Sequence, residues 1–194
     1  MKTRARKAVQ PAIIGILTFI VGVVVTRELV TLGPQHPSFE GTSEWIYSVW
    51  MFMEAQYVPT TETVTSDSAA NMMSETFIIE SDSVSQYLQF LYVIPPTVLA
   101  AGGFISAARS KSRSIADGAI AGLMLTIGYF VACVSTLIFA TESVSFGGAN
   151  ARVGPHAFDA MAISGLLFPL IFATLGGVIY VLTTGKIKIS IRQT

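Results

Sequence analysis

The chain has 194 residues, twelve basic and twelve acidic side chains, and no net charge. Hydrophobic residues make up 52% of it and charged residues 12%, about half the usual charged share of a soluble domain. These figures argue against nucleic-acid binding, which requires a basic face, and the single cysteine, Cys133, cannot form an internal disulfide.

Four long uncharged runs dominate the sequence. They cover residues 8–26, 83–108, 118–141 and 160–185. Each is at least as long as the ~17–20 residues with which an α-helix crosses the hydrocarbon of a bilayer, where the backbone must satisfy its own hydrogen bonds. The sequence therefore predicts an all-α fold: one integral-membrane domain over residues 1–194, built as a four-helix bundle.

The first run follows a basic N-terminus, so a signal peptide is the alternative to a membrane anchor. No small-x-small cleavage pattern precedes Thr26-Arg27-Glu28. We therefore interpret the run as an uncleaved anchor.

The basic residues predict the orientation of the four spans. With four spans, ten of the twelve share one side: Lys2, Arg4, Arg6, Lys7, Arg109, Lys111, Arg113, Lys186, Lys188 and Arg192. Only Arg27 and Arg152 fall on the other side. Both termini are accordingly predicted to be cytoplasmic, in a cell membrane.

Residues 27–82, between the first two spans, form a predicted acidic extracellular insertion. This segment holds nine acidic residues, and Arg27 is its one basic residue. The bias fits a solvated loop, or a surface adapted to high salt, where the Debye length falls to ~3 Å at about 1 M. A Ca²⁺ site is a weaker alternative, because the acids are scattered and no EF-hand loop is present.

Within the insertion, residues 43–57 predict an interfacial helix that caps the bundle. Apolar residues recur at helical spacing, and Trp and Tyr favour the membrane–water interface. Glu54 is expected to reach water. The alternative interpretation is that these aromatic side chains form a cofactor-binding site, an aromatic box. The candidate interface and cap residues are Trp45, Trp50, Phe52, Gln56 and Tyr57.

The remaining connections contain few signals of regular structure. After Pro59, TTETVTSDS resembles an extended stretch followed by a polar turn, and ETFII is a weak candidate for its partner strand. The connection between spans 3 and 4 is a predicted Gly-rich loop.

The segment WMFMEAQYV, residues 50–58, resembles a W-x-F-x-x-A-[HQ]-[FY]-V signature of an uncharacterised family of haloarchaeal membrane proteins. In that family a basic anchor precedes the motif and a Pro-containing span follows it. In this chain the span after the motif contains Pro95-Pro96. Gln56 stands where His is more frequent in the family, which weakens a metal or proton role at this position. The resemblance implies a four-span fold in a haloarchaeal membrane and no known activity.

Small residues and prolines in the spans predict how the helices pack. Gly15, Gly22, Gly118 and Gly122 are candidates for close helix contact. Pro95, Pro96 and Pro169 are candidates for kinks, which occur in ordinary membrane helices and also at transporter binding sites.

Patterns typical of catalysis are missing from the sequence. It contains no H-E-x-x-H, G-x-S-x-G or Walker motif, and two histidines with one cysteine supply a zinc or haem site poorly. His156 and Asp159 share a helix face, either as an ordinary helix start or as a pH-sensitive gate. We expect no enzyme activity, no metal and no cofactor.

The function that fits best is a non-enzymatic structural or accessory component of the membrane. Its expected partners are the lipid bilayer and either another membrane protein or further copies of this chain; nucleic acid is excluded. The alternative is a small transporter or channel for a neutral solute. Thr126, Tyr129, Ser135 and Thr136 on span 3 are the nearest candidates for lining its path.

Overall fold

The computed structural model of the protein describes residues 2–32, 42–66, 69–80, 86–146 and 149–184. The α-helices in these residues are α1 (Lys2–Thr31), α2 (Glu44–Glu54), α3 (Ile94–Arg109), α4 (Ile115–Phe139), α5 (Ala157–Asp159) and α6 (Phe168–Thr183). A 3₁₀ helix (Gln86–Val93) leads into α3, and a π-helix (Ala160–Leu167) joins α5 to α6.

Four of the helical segments are long and apolar enough to cross a membrane, so the fold is that of a multi-pass membrane protein. They are Val9–Thr31, Leu88–Arg109, Ile115–Phe139 and Ala157–Thr183. The four predicted spans correspond to these four helices, with ends that differ by up to five residues. The differences of five residues are at the end of span 1, where α1 continues past the charges at which the sequence suggested a boundary, and at the start of span 2, where residues 83–85 lie outside the described residues.

Arg27 explains that continuation. Its guanidinium bonds Glu28 Oε1 and Glu44 Oε2, each at 3.0 Å, and lies 4.7 Å from the centre of the Trp45 ring. Because both neighbouring acids and an aromatic face accommodate the charge, the helix continues to Thr31.

The bundle is held by close approaches of helix backbones. An added Cβ at Gly103 of α3 or at Gly122 of α4 would overlap the carbonyl of Ala173 on α6. Likewise, Gly15 lies against the backbone of α4, and Gly118 lies against Gly177. Helix α6 thus packs on both α3 and α4, and α1 packs on α4.

We call the two ends of the bundle the turn end and the cap end. At the turn end, residues 110–114 join α3 to α4, and Ser114 accepts a hydrogen bond from the N–H of Asp117, which caps the start of α4. At the cap end lie α2 and a small sheet.

The helix type changes at the prolines that are predicted to kink spans 2 and 4. Pro95 and Pro96 lie in the first turn of α3, directly after the 3₁₀ helix. Pro169 lies in the first turn of α6, directly after the π-helix. Proline has no N–H to donate, so each span gives up helical hydrogen bonds at the point where its helix type changes.

The sheet adds a β element to the predicted all-α fold. Its strands are β1 (Thr60–Ser66), β2 (Ala69–Thr76), β3 (Glu142–Phe146) and β4 (Ala149–Pro155), antiparallel in the order β2-β1-β4-β3. The extended stretch after Pro59 is confirmed as β1. The suggestion that ETFII, residues 75–79, is its partner strand is confirmed only for Glu75 and Thr76, which pair with Thr61 and Thr60 at the end of β2; residues 78–80 form a 3₁₀ turn. The predicted Gly-rich loop between spans 3 and 4 is the β3–β4 hairpin.

Helix α2 belongs to the same hydrophobic core as the spans. Trp50, Met51, Phe52 and Met53 are at most 1% exposed and cluster with Leu125 and other buried residues of the spans. The segment predicted as an interfacial helix over residues 43–57 is thus a helix to Glu54 and a turn over 55–57, and its second half is embedded in the protein.

Candidate functional site

The candidate site is the segment Trp50–Val58, which we call the cap motif, together with the side chains that it meets in the bundle. The motif leaves α2 through a turn in which the N–H of Gln56 bonds the carbonyl of Met53 at 2.8 Å. Tyr57 has a φ of 62°, a left-handed conformation that costs about 1–3 kcal/mol in a residue other than glycine. The Tyr57 ring, 58% exposed, stacks on Tyr92 at 5.4 Å, and this contact helps to hold the turn.

Trp50 connects the motif to the end of α4. Its indole Nε1–H donates to the carbonyl of Ala140 at 2.6 Å, and Trp50 is 1% exposed. Ala140 is the C-cap of α4, where the last carbonyls of a helix lack a partner within the helix. Trp50 therefore supplies both buried apolar area and a donor for a buried helix end.

Phe52 connects the motif to α1. A Cβ added at Gly22 would overlap the Phe52 ring, so the absence of a side chain there leaves room for it. The ring meets Phe19 edge-on at 5.5 Å, and Phe19 meets Tyr129 edge-on at 5.2 Å. This chain of rings crosses from α2 through α1 to α4.

Gln56 is the polar centre of the site. Its Oε1 accepts hydrogen bonds from Tyr129 OH at 2.9 Å and from Ser164 Oγ at 3.1 Å, and its Nε2 donates to the Phe52 carbonyl at 3.1 Å. Gln56, Tyr129 and Ser164 are all completely buried. The carboxamide thus joins α2, α4 and the π-helix, and its bonds within the protein offset the cost of burying it.

The π-helix shapes the far side of this cluster. Its wider turns end where the N–H of Phe168 bonds the carbonyl of Ile163, five residues earlier. The carbonyl of Ala160 accepts from Cys133 Sγ at 3.2 Å, and Cys133 Sγ also lies 3.8 Å from Ser164 Oγ. The single cysteine is therefore buried and occupied in packing and hydrogen bonding.

Glu54 corrects one expectation drawn from the sequence. It does not reach water: it is completely buried, and its carboxylate accepts from Thr60 Oγ1 at 2.6 Å and from the Ile79 N–H at 3.0 Å. These bonds link α2 to β1 and to the 3₁₀ turn after β2. Glu54 was interpreted as a surface residue because charged residues are seldom fully buried.

The five predicted cap residues divide into two groups. Trp50, Phe52 and Gln56 are inside the protein, whereas Trp45 and Tyr57 are 51% and 58% exposed. Of the four polar residues considered on span 3, Tyr129 is the one that meets Gln56. Ser135 and Thr136 donate to carbonyls of their own helix at 2.8 Å, and Thr126 is buried.

Sequence reasoning missed Ser164 as a partner of the motif and Cys133 as a partner of Ser164. The available signal was weak: a few polar side chains in otherwise apolar spans, which tend to bond one another across helices. Nothing in the sequence indicated the π-helix that brings Ser164 to Gln56.

His156 and Asp159 lie at the start of span 4, as their spacing suggests. His156 Nδ1 is 2.8 Å from Asp159 Oδ2, and both side chains are partly buried. Among the described residues, no group of three or more His, Cys, Asp or Glu side chains could hold a metal ion.

Residues 1–184 match a family described as a family of unknown function, DUF7978. No curated protein and no solved structure matches the chain.

Proposed function

Because the chain belongs to the DUF7978 family of unknown function, we propose a role from its own geometry: a non-enzymatic structural or accessory component of the cell membrane. In this role the four spans hold the sheet and α2 in a fixed position at the membrane surface. A partner, either another membrane protein or a further copy of the chain, would bind there.

One observation carries the proposal: the cap motif is bonded into the bundle at several independent points. Trp50 bonds the end of α4, Gln56 bonds α4 and the π-helix, and Glu54 bonds β1. The sheet and the spans are thereby linked through buried groups. A rigid connection of this kind suits a protein that presents a surface.

The chemistry of the buried cluster supports a structural role over catalysis or transport. A carboxamide, a phenol and a hydroxyl bond one another at the centre of the bundle with no exposed area. Groups that already satisfy one another have little capacity left to bind a substrate or a passing solute.

The edge strand β2 offers a surface for a partner. Met72 and Met73 are 70% and 58% exposed, and β2 is an outer strand of the sheet. Methionine is frequent at adaptable binding surfaces, and an edge strand has backbone groups available for pairing.

The experiment is purification in mild detergent at molar salt, with the double variant Met72→Ser, Met73→Ser. The matched control is Thr76→Ser on the same strand. We expect a partner at fixed stoichiometry to remain with the wild type and the control and to be lost from the double variant. A chain that purifies without partners and conducts a neutral solute across vesicles would refute the proposal in favour of a transporter.

The proposed orientation, with both termini cytoplasmic, rests on the distribution of basic residues and has its own test. In a Cys133→Ala background, a cysteine at exposed Thr65 should react with a membrane-impermeant reagent in intact cells. A cysteine at exposed Ser110, in the turn between α3 and α4, should be protected. The reverse pattern would invert the topology.

A further inference from the structure

A groove of about 390 Å³ runs between α1 and α4, beneath the first turns of α2. We call it the α1–α4 groove. It lies on the cap side of the contact between Gly15 and the α4 backbone. Its walls and roof include Ile16, Ile20, Val24, Trp45, Val131 and Ser135.

The lining of the groove presents hydrocarbon. Its polar side-chain groups are the indole N–H of Trp45 and the hydroxyls of Ser135 and Thr136, and each hydroxyl donates to a carbonyl one turn earlier on α4 at 2.8 Å. With these hydroxyls bonded inside their own helix, the groove offers an occupant little beyond apolar contact.

The position of the groove determines whether lipid or water surrounds it. Both walls belong to segments that can cross a membrane, Val9–Thr31 and Ile115–Phe139, and Ile20 and Val131 are about half exposed. An apolar channel left unfilled loses dispersion contacts, and water gains few hydrogen bonds there. The chains of the surrounding lipid are the occupant of matching chemistry.

The charges near Trp45, at the roof of the groove, affect which lipid headgroup can bind beside it. Trp45 is half exposed, and the Arg27 guanidinium lies 4.7 Å from the centre of its ring. The same guanidinium bonds Glu28 and Glu44, so two carboxylates outweigh its charge. An anionic headgroup would gain little attraction at this roof.

From these observations we propose that the α1–α4 groove binds one hydrocarbon chain of a membrane lipid and selects the chain rather than the headgroup. The chain lies along α1 from Ile16 to Val24, a distance of about 12 Å at 1.5 Å per residue. Its headgroup stays outside the groove beside Trp45. This site does not depend on the accessory role proposed above.

The test counts the lipids retained by purified protein after extensive detergent washing, using native mass spectrometry. Before washing, the protein is equilibrated separately with phosphatidylcholine and phosphatidylglycerol of identical chains. We expect one retained lipid per chain, with similar occupancy for the two headgroups.

Filling the groove should displace that lipid. Val131→Trp on the α4 wall and Ile20→Trp on the α1 wall each add bulk to the groove. Excluding part of the lipid chain removes its dispersion contacts with the groove, so we expect occupancy to fall by about tenfold or more. The matched control is Ile127→Trp, which lies on the same helix, is similarly exposed and does not line the groove.

Three results would overturn the proposal: no retained lipid in the wild type, equal occupancy in the filled variants and the control, or strong preference for the anionic headgroup. If one filled variant does not fold, as judged by thermal unfolding, the variant on the opposite wall decides the outcome.

Discussion

Toward the turn end, α4 meets α6 through the backbones of Gly118 and Gly122, whereas toward the cap end it meets α2 and the π-helix through the side chains of Tyr129 and Cys133. The first contact depends on missing side chains and the second on bonded ones. Glycine contacts let helices approach closely wherever small residues align. A hydrogen-bonded contact specifies one arrangement, because a misplaced polar group remains unsatisfied.

Trp50→Ala should have the largest effect, since it removes a buried ring and the donor to Ala140 at the cap end. Large-to-small changes of a buried aromatic cost about 3–5 kcal/mol. Unfolding in detergent micelles, followed by circular dichroism, would measure the loss. Trp45→Ala is the control, since Trp45 is half exposed, and it should cost far less. Equal losses of stability in the two variants would show that the buried Trp50 stabilises the protein no more than the half-exposed Trp45 does.

Gly122→Val tests the contact between α4 and α6. The added side chain would overlap the Ala173 carbonyl, and backbone cannot move aside as a side chain can. We expect a loss at the upper end of the ~1–3 kcal/mol typical of overpacking. Ala101→Val on the exposed face of α3 controls for valine in a membrane helix. A variant as stable as this control would mean that α4 and α6 are farther apart than described.

Gln56→Leu tests the hydrogen-bonded contact with little change in volume. Tyr129 and Ser164 would lose their common acceptor, at a cost of ~1–3 kcal/mol for buried groups left unsatisfied. The triple variant Gln56→Leu, Tyr129→Phe, Ser164→Ala should recover much of that loss, since no member of the trio is then left without a partner. The single variants Gln56→Leu and Tyr129→Phe and their double variant form a double-mutant cycle, which measures the coupling in the same unfolding assay. Strict additivity would argue against a bonded cluster.

Ser114→Ala should have the smallest effect of the four. It removes the acceptor for the Asp117 N–H at the start of α4, and loss of an N-cap costs ~1 kcal/mol. Ser110→Ala, at an exposed position of the same turn, is the control. Thermal unfolding of both variants in parallel would measure the difference in their stability. Equal stability would show that packing alone, and not the Ser114 cap, stabilises the start of α4.

The turn end was more accessible to sequence reasoning than the cap end. Gly118 and Gly122 form a local pattern on one helix, and uncharged runs reveal spans because hydrocarbon excludes charge. The cap end depends on pairs that are distant in sequence, such as Gln56 with Ser164 and β1 with β4. No local period indicates such pairs.

Two features of the cap end also contradicted local expectation. Glu54 is a charged residue in the interior, held there by Thr60 and the Ile79 N–H, so the usual exposure of glutamate misled the interpretation. Strands β3 and β4 do alternate polar and apolar residues, as in Ser143-Val144-Ser145-Phe146, but the glycines between and within them favoured a loop interpretation.

The separation between Gln56 and its partners has a consequence for how the protein is made. Ser164 follows Gln56 by 108 residues, and Ala140 follows Trp50 by 90. At about 5–20 residues per second, the ribosome needs roughly 5–20 s after synthesising the cap motif to produce its last partner. During that interval Trp50 and Gln56 lack their partners on α4 and the π-helix, so we expect the motif to depend on lipid headgroups or a chaperone until span 4 has been inserted.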